Sequence, residues 1–293
     1  MPKQIPLIAW GVLILLSLIW GSSFILIKRG LEVFSPGEVG ALRILAAGVV
    51  LMPFSIFKLK NLSVKKWKLL FFVGMVGSFI PAFLFATAQT QIDSSVAGIL
   101  NALTPLFVML IGAVFFNQHI TRRIAFGLAI GFLGTVFLIM AGSGINLLQL
   151  NYYAFFIVVA TVCYGANVNL IKFKIHDINA ISITAISLLI VTPIAAIYLF
   201  GATPFISKLQ QVDGAYASFG YIVLLGVMGT ALALVLFNHL VKITTPIFTS
   251  SVTYLIPIIA VIWGLLDGEV LLTGHFIGLT AIIVGVFLAN RRR

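Results

Sequence analysis

Asn101, Thr104 and Pro105 fall inside one long apolar run, and Ser250, Thr253, Tyr254 and Pro257 fall inside another. With Gly98, the first set is spaced i, i+3, i+6 and i+7, along one face of a helix. Amides and hydroxyls surrounded by hydrocarbon are costly unless they meet a partner, so each marks a candidate for binding. Each proline removes a backbone N–H and frees a carbonyl one turn earlier, which is tolerable beside other helices or a wet cavity. The chemistry these residue types offer is recognition by hydrogen bonds. The plainer alternative is that they tie neighbouring helices together. A polar face that occurs twice favours the lining of a cavity.

Further polar and aromatic groups lie within apolar runs. Trp20, Ser22 and Ser23 belong to the first, and Tyr164, Asn167 and Asn169 to the sixth. Trp20 and Tyr164 are deeper than interfacial anchors need to be, and with Ser23 and Asn167 they join the expected pathway. Arg43 lies five residues inside the second run, as a snorkelling cation, a partner for Glu38, or a receptor for a substrate carboxylate. Asn238 is a further pathway candidate, next to His239, which titrates near neutrality. Catalytic constellations are missing. The four histidines sit at separate run ends without metal-ligand spacing, no Gly-rich phosphate loop occurs, and the lone Cys163 excludes an internal disulfide. No metal, no cofactor and no enzymatic activity are expected.

The elements that must position these residues are membrane spans. Hydrophobic residues make up 61% of the 293 positions and charged residues only 9%. A soluble chain carries roughly 25% charged residues. Apolar runs of about twenty residues, the length of a spanning helix, fall near 7–27, 38–57, 69–88, 95–116, 124–143, 152–171, 180–200, 218–237, 246–266 and 274–290. Alternate connections then divide the basic residues unequally. One side holds Lys3, Lys58, Lys60, Lys65, Lys66, Lys68, Arg122, Arg123, Lys172, Lys174, Lys242 and Arg291 to Arg293, whereas the other holds Lys28, Arg29 and Lys208. The first side is therefore expected to be cytoplasmic, with both termini inside. The net charge of +11 follows from this topology and implies no nucleic-acid partner.

The runs form two faint copies. Gly74, Gly77, Phe85 and Pro105 recur as Gly226, Gly229, Phe237 and Pro257, and Trp20-Gly21 is echoed by Tyr164-Gly165. Five spans per copy force the second to insert upside down, which is typical of secondary transporters with a site between halves. The expected units are residues 1–144 and 145–293. Gly127, Gly131 and Gly134 match Gly274, Gly278 and Gly285 as small-residue faces for close packing of the fifth and tenth spans.

Over nearly its whole length the chain resembles the drug/metabolite transporter superfamily, in its ten-helix bacterial form with two EamA-like repeats. The residues that carry the resemblance are Ile19-Trp20-Gly21-Ser22-Ser23-Phe24, Arg43, Leu103-Thr104-Pro105, and Leu255-Ile256-Pro257 through Gly268-Glu269 with Gly278 and Gly285. One departure is Asn117-Gln118 where the family usually carries Glu after the fourth span. The resemblance implies an all-α protein with N-in, C-in topology, a central cavity and alternating access. It also implies export of small metabolites such as amino acids across the bacterial inner membrane. Lipid and a small-molecule substrate are the expected partners, protons a candidate coupling ion, and the monomer the expected working unit. Export of organic cations is the alternative. It ranks lower because the first span lacks the acid that related multidrug exporters use. A membrane-embedded enzyme or a scaffold ranks lower still.

Overall fold

A computed structural model describes residues 6–56, 62–118, 121–142, 152–250 and 252–290, and among these no strand occurs. Helix is what the composition dictates, because a backbone in hydrocarbon must satisfy its own hydrogen bonds. The elements run α1 (Leu7–Leu31), α2 (Pro36–Ile56), α3 (Val64–Gly74), α4 (Ile80–Ala88), α5 (Ser94–Asn101), α6 (Thr104–Phe116), α7 (Arg122–Gly142) and α8 (Tyr153–Lys174). They continue as α9 (Ala180–Gly201), α10 (Phe205–Gln211), α11 (Ala215–Leu224), α12 (Ala233–Ile243), α13 (Pro246–Ser250), α14 (Val252–Leu266) and α15 (Thr273–Asn290). Eight helical segments are long and apolar enough to cross a membrane, while α7 and α15 contribute shorter apolar stretches, Ala125–Gly134 and Thr273–Gly285. Residues such as Ile197, Phe115 and Phe132 stand exposed on the outside, as side chains facing lipid do. The chain is a multi-pass membrane protein.

Three features depart from uninterrupted spans. The segments Met75–Phe79, between α3 and α4, and Leu225–Leu232, between α11 and α12, are π-helical. Such widened turns re-aim side chains and often mark functional positions. The fourth run breaks between α5 and α6 because Pro105 cannot donate to the carbonyl of Asn101. Thr104 Oγ1 donates to that carbonyl instead, at 2.9 Å. The short helix α10 was not anticipated from the sequence. Its seven residues lie in the connection after α9, where Lys208 reaches Glu38 Oε2 at 2.7 Å.

The principal helix contacts join α7 to α15, α2 to α9, α1 to α14 and α6 to α8. Small residues set these distances. A Cβ on Gly285 would lie 2.5 Å from the Gly131 nitrogen and 2.6 Å from the Gly127 carbonyl oxygen. One on Gly134 would lie 2.9 Å from the Ile282 nitrogen and 3.1 Å from the Gly278 carbonyl oxygen. Five glycines of the expected packing set therefore meet across α7 and α15, and Gly274 is half-buried near the start of α15. The boundary expected at residues 144–145 lies outside the described residues, as do Lys3, Lys58, Lys60 and Arg291 to Arg293.

Candidate functional site

Nine of the eleven expected pathway residues come together around one cavity. Trp20, Ser23, Arg43, Asn101, Thr104, Tyr164, Asn167, Ser250 and Thr253 all line it. Its volume is about 70 Å³, several times the ~10–15 Å³ that one water requires. Contributions come from α1, α2, α4, α5, α6, α8, α12, α13, α14 and both π-helical segments. Gly77 and Ser78 enter from the first π segment, and Gly229 and Thr230 from the second. Phe24, Phe85 and Phe237 supply an apolar wall, with the Trp20 and Phe237 rings 5.0 Å apart and the Phe85 and Tyr164 rings 6.1 Å apart. An apolar body with a few convergent polar groups is the usual form of a small-molecule site.

The glycines admit the polar side chains. A Cβ on Gly77 would lie 2.8 Å from the Asn167 amide, and one on Gly229 would lie 2.8 Å from Ser23 Oγ. Trp20 Nε1 donates to the Gly229 carbonyl at 2.9 Å, which fixes the indole over the second π segment. Arg43 is nearly buried, and its Nε donates to Thr230 Oγ1 at 2.7 Å.

Two expected residues fall elsewhere. Asn238, next to the lining residue Phe237, is buried outside the lining, and its Nδ2 donates to Thr184 Oγ1 at 2.9 Å, a bond between α12 and α9. α12 runs on to Ile243, so Asn238 does not close the span as the sequence reading had it. Tyr254 is half-buried against the hydrophobic core and is not part of the lining. The register of α14 points Thr253 at the cavity and turns its neighbour about 100° away. Arg43 neither snorkels nor pairs with Glu38, because Lys208 takes that carboxylate. Sequence reasoning missed Ser78, Thr230 and Phe24 as lining. It had singled out Gly77, Phe85, Gly229 and Phe237 only as markers of the repeat.

The EamA-like transporter family matches this chain twice, over residues 7–140 and 151–291. The chain belongs to that family. Relatives include an uncharacterized inner membrane transporter, YedA, of Escherichia coli (strain K12). It is 27% identical over 293 residues, covering 96% of this chain and 90% of the relative. An uncharacterized transporter of Archaeoglobus fulgidus is 25% identical over 285 residues, covering 97% and 99%. A solved crystal structure superposes with a TM-score of 0.66 at 16% identity over 96% of each chain, a likeness of fold. The protein is a membrane transporter.

In this EamA-like chain the start of α5, beyond the cavity, is held by charge. Glu269, in the connection between α14 and α15, accepts from Ser94 N at 3.0 Å, Ser94 Oγ at 2.7 Å, Ser95 N at 3.0 Å and Ser95 Oγ at 2.6 Å. It thus caps the start of α5, where free N–H groups and the helix dipole favour an anion. Lys28 Nζ lies 2.9 Å from Glu269 Oε1 and 2.6 Å from Asp267 Oδ2. Arg29 pairs with Asp267 and with Glu32. Burial resists ionisation of Glu269, but bonds from Ser95, Lys28 and Ser94 together outweigh it and hold the carboxyl at about 2. Neighbouring Asp93 is pushed up, by burial and then by the charge of Glu269. The seam joins α1, α5 and α14, and Ser94 lies seven residues, roughly 10 Å, along the helix from Asn101.

At the opposite end of this span the matching turn carries no carboxylate. Asn117 stands where Gly268 stands in the second half, each with positive φ, 54° and 82°. Gln118 N donates to Gly112 O at 3.1 Å, as Glu269 N donates to Gly264 O at 2.9 Å. Here the turn carries an amide instead of a carboxylate. Among the described residues Lys172 Nζ meets only backbone carbonyls, Val241 at 2.9 Å and Thr244 at 2.5 Å. Asn169 Nδ2 donates to the carbonyls of Val108 and Gly165, both at 2.9 Å.

Proposed function

We propose that this protein is a secondary transporter that exports small metabolites such as amino acids from bacteria by alternating access. In this reading ten helices form two inverted five-helix repeats with both termini in the cytoplasm of an inner-membrane protein. The observation that carries it is a polar cavity lined by corresponding residues of the two halves. Ser23 with Gly229 corresponds to Asn167 with Gly77, and each pair packs across a π-helical segment. The pairing of α1 with α14 and of α6 with α8 is what an inverted duplication produces. The concentration of basic residues on one side supports the orientation. On that basis the Glu269 seam faces outward and the Gln118 seam faces the cytoplasm.

Amides, hydroxyls and one guanidinium suit a small zwitterion, whose charged groups need partners once water is stripped away. Organic cations are disfavoured, since no acid lines the cavity. Transport in proteoliposomes holding equal amounts of each variant tests the proposal. Asn101→Ala is expected to abolish uptake of an amino-acid substrate, and Tyr164→Ala to change substrate preference. Wild-type rates in both would mean that these residues only join helices.

A further inference from the structure

Arg43 is 9% exposed at the cavity wall, and no carboxylate pairs with it among the described residues. Its side-chain hydrogen bond, from Nε to Thr230 Oγ1, holds the guanidinium without neutralising it. The second π-helical segment supplies Thr230, and Gly226 lets that segment approach the backbone of α2. A Cβ there would lie 2.7 Å from the Arg43 carbonyl oxygen. The seven acids of the chain are engaged elsewhere or lie outside this wall. A buried cation with its fork turned to a cavity and no counter-ion is a receptor for a planar anion.

A second group is also unsatisfied. Asn167 is 3% exposed, and its Oδ1 is buried without a hydrogen-bond partner although the residue lines the cavity. The oxygen is sealed against Gly77 in this conformation, and a turn of the amide about χ2 brings it to an N–H or O–H on whatever occupies the space. The remaining wall, with Trp20, Phe24, Phe85 and Phe237, accepts apolar surface.

We infer that the cavity selects ligands bearing a carboxylate, which Arg43 receives as its missing counter-ion, while Asn167 Oδ1 accepts from a donor group on the same ligand. This rests on the transport-site reading above and adds its selectivity rule. A ligand without an anion leaves Arg43 buried and unpaired, so organic cations are rejected by charge. Arg43 and Asn167 are binding residues. They come from α2 and α8, on opposite halves of the chain, so one small molecule engages both.

The test is titration calorimetry of the purified full-length protein in lipid nanodiscs at pH 7. The probes are leucine, 4-methylpentanoate and leucinamide, which share a body and differ in headgroup. Leucine and 4-methylpentanoate are expected to bind, leucine the more tightly, and leucinamide to bind roughly tenfold or more weakly. Arg43→Gln removes that discrimination. Asn167→Asp supplies the missing acid within the wall and weakens both carboxylates by a similar factor. Gel-filtration profiles verify that each variant folds, and Asn167→Asp keeps the question open to decision should Arg43→Gln fail to fold. Leucinamide binding the wild type as tightly as leucine overturns the proposal, and so does binding by none of the three probes. Proteoliposomes loaded with a mixture of small neutral, anionic and cationic metabolites separate the two readings. Protein-dependent release of cations alone would sink the carboxylate rule and leave the transporter, whereas release of nothing would sink both.

Discussion

The Glu269 end and the Gln118 end of the molecule share a backbone turn and differ in charge. Both turns carry a residue with positive φ, and both fold back on a helix-end glycine, Gly264 or Gly112. At one end the side chain after that residue is a carboxylate bonded to Ser94, Ser95 and Lys28. At the other it is an amide whose end lies beside Gly112, and the nearby lysine satisfies itself on carbonyls. Asn101 and Thr104 lie between these ends on one broken span, so its two ends are held by bonds of different kinds. Under alternating access, opening the Glu269 end would require several charge-assisted bonds to be given up together.

Removing the carboxylate is expected to have the largest effect on this difference. Glu269→Ala deletes four bonds to the start of α5 and leaves Lys28 with Asp267 alone. A loss of about 2–4 kcal/mol is expected, read as a lower unfolding temperature in detergent. The same variant is expected to expose the seam to an impermeant thiol reagent at Ser94→Cys. An unchanged unfolding temperature would mean that the seam is decorative.

Acid sharpens the same comparison. The Glu269 carboxyl titrates at about 2 in the folded protein against an ordinary 4.5. A depressed value means that its contribution is complete above the ordinary value and lost as pH falls through the folded one. The difference in unfolding temperature between wild type and Glu269→Ala is therefore expected to stay constant from pH 5 to 8 and to shrink below about pH 4.5. A difference that changes between pH 6 and 8 would assign the stabilisation to another group.

The Gln118 end is expected to respond less. Lys172→Met removes two bonds to carbonyls, from a side chain that is half-buried. About 1–2 kcal/mol is expected, without any acid dependence near pH 4.5. A loss matching that of Glu269→Ala would erase the asymmetry.

Much of the fold was legible because membrane solvation is severe. Apolar runs announce spans, and glycine spacing announced the close approach of α7 and α15, down to Gly131 against Gly285. The cavity was legible in part because polar residues in hydrocarbon are few and each must be explained. Asn101, Thr104, Ser250 and Thr253 followed from that rule, whereas Tyr254 failed because one step along a helix turns a side chain by about 100°. Asn238 failed because buried amides also bond helices, here to Thr184. The π-helical segments left no pattern beyond paired glycines, so Ser78 and Thr230 could not be aimed from sequence. The Glu269 seam was hidden for another reason. Ser94 and Lys28 lie 175 and 241 positions away, and only folding brings them together.

The central claim is that the cavity is reached in turn from both sides of the membrane. A single cysteine replacing Thr104, in a Cys163→Ser background, places a reporter in the lining midway between the two seams. Labelling by an impermeant maleimide is compared in right-side-out and inside-out vesicles, with and without a transported amino acid. Labelling from both sides, slowed by substrate on each, is the predicted result. Labelling from one side alone under every condition would contradict alternating access through this cavity.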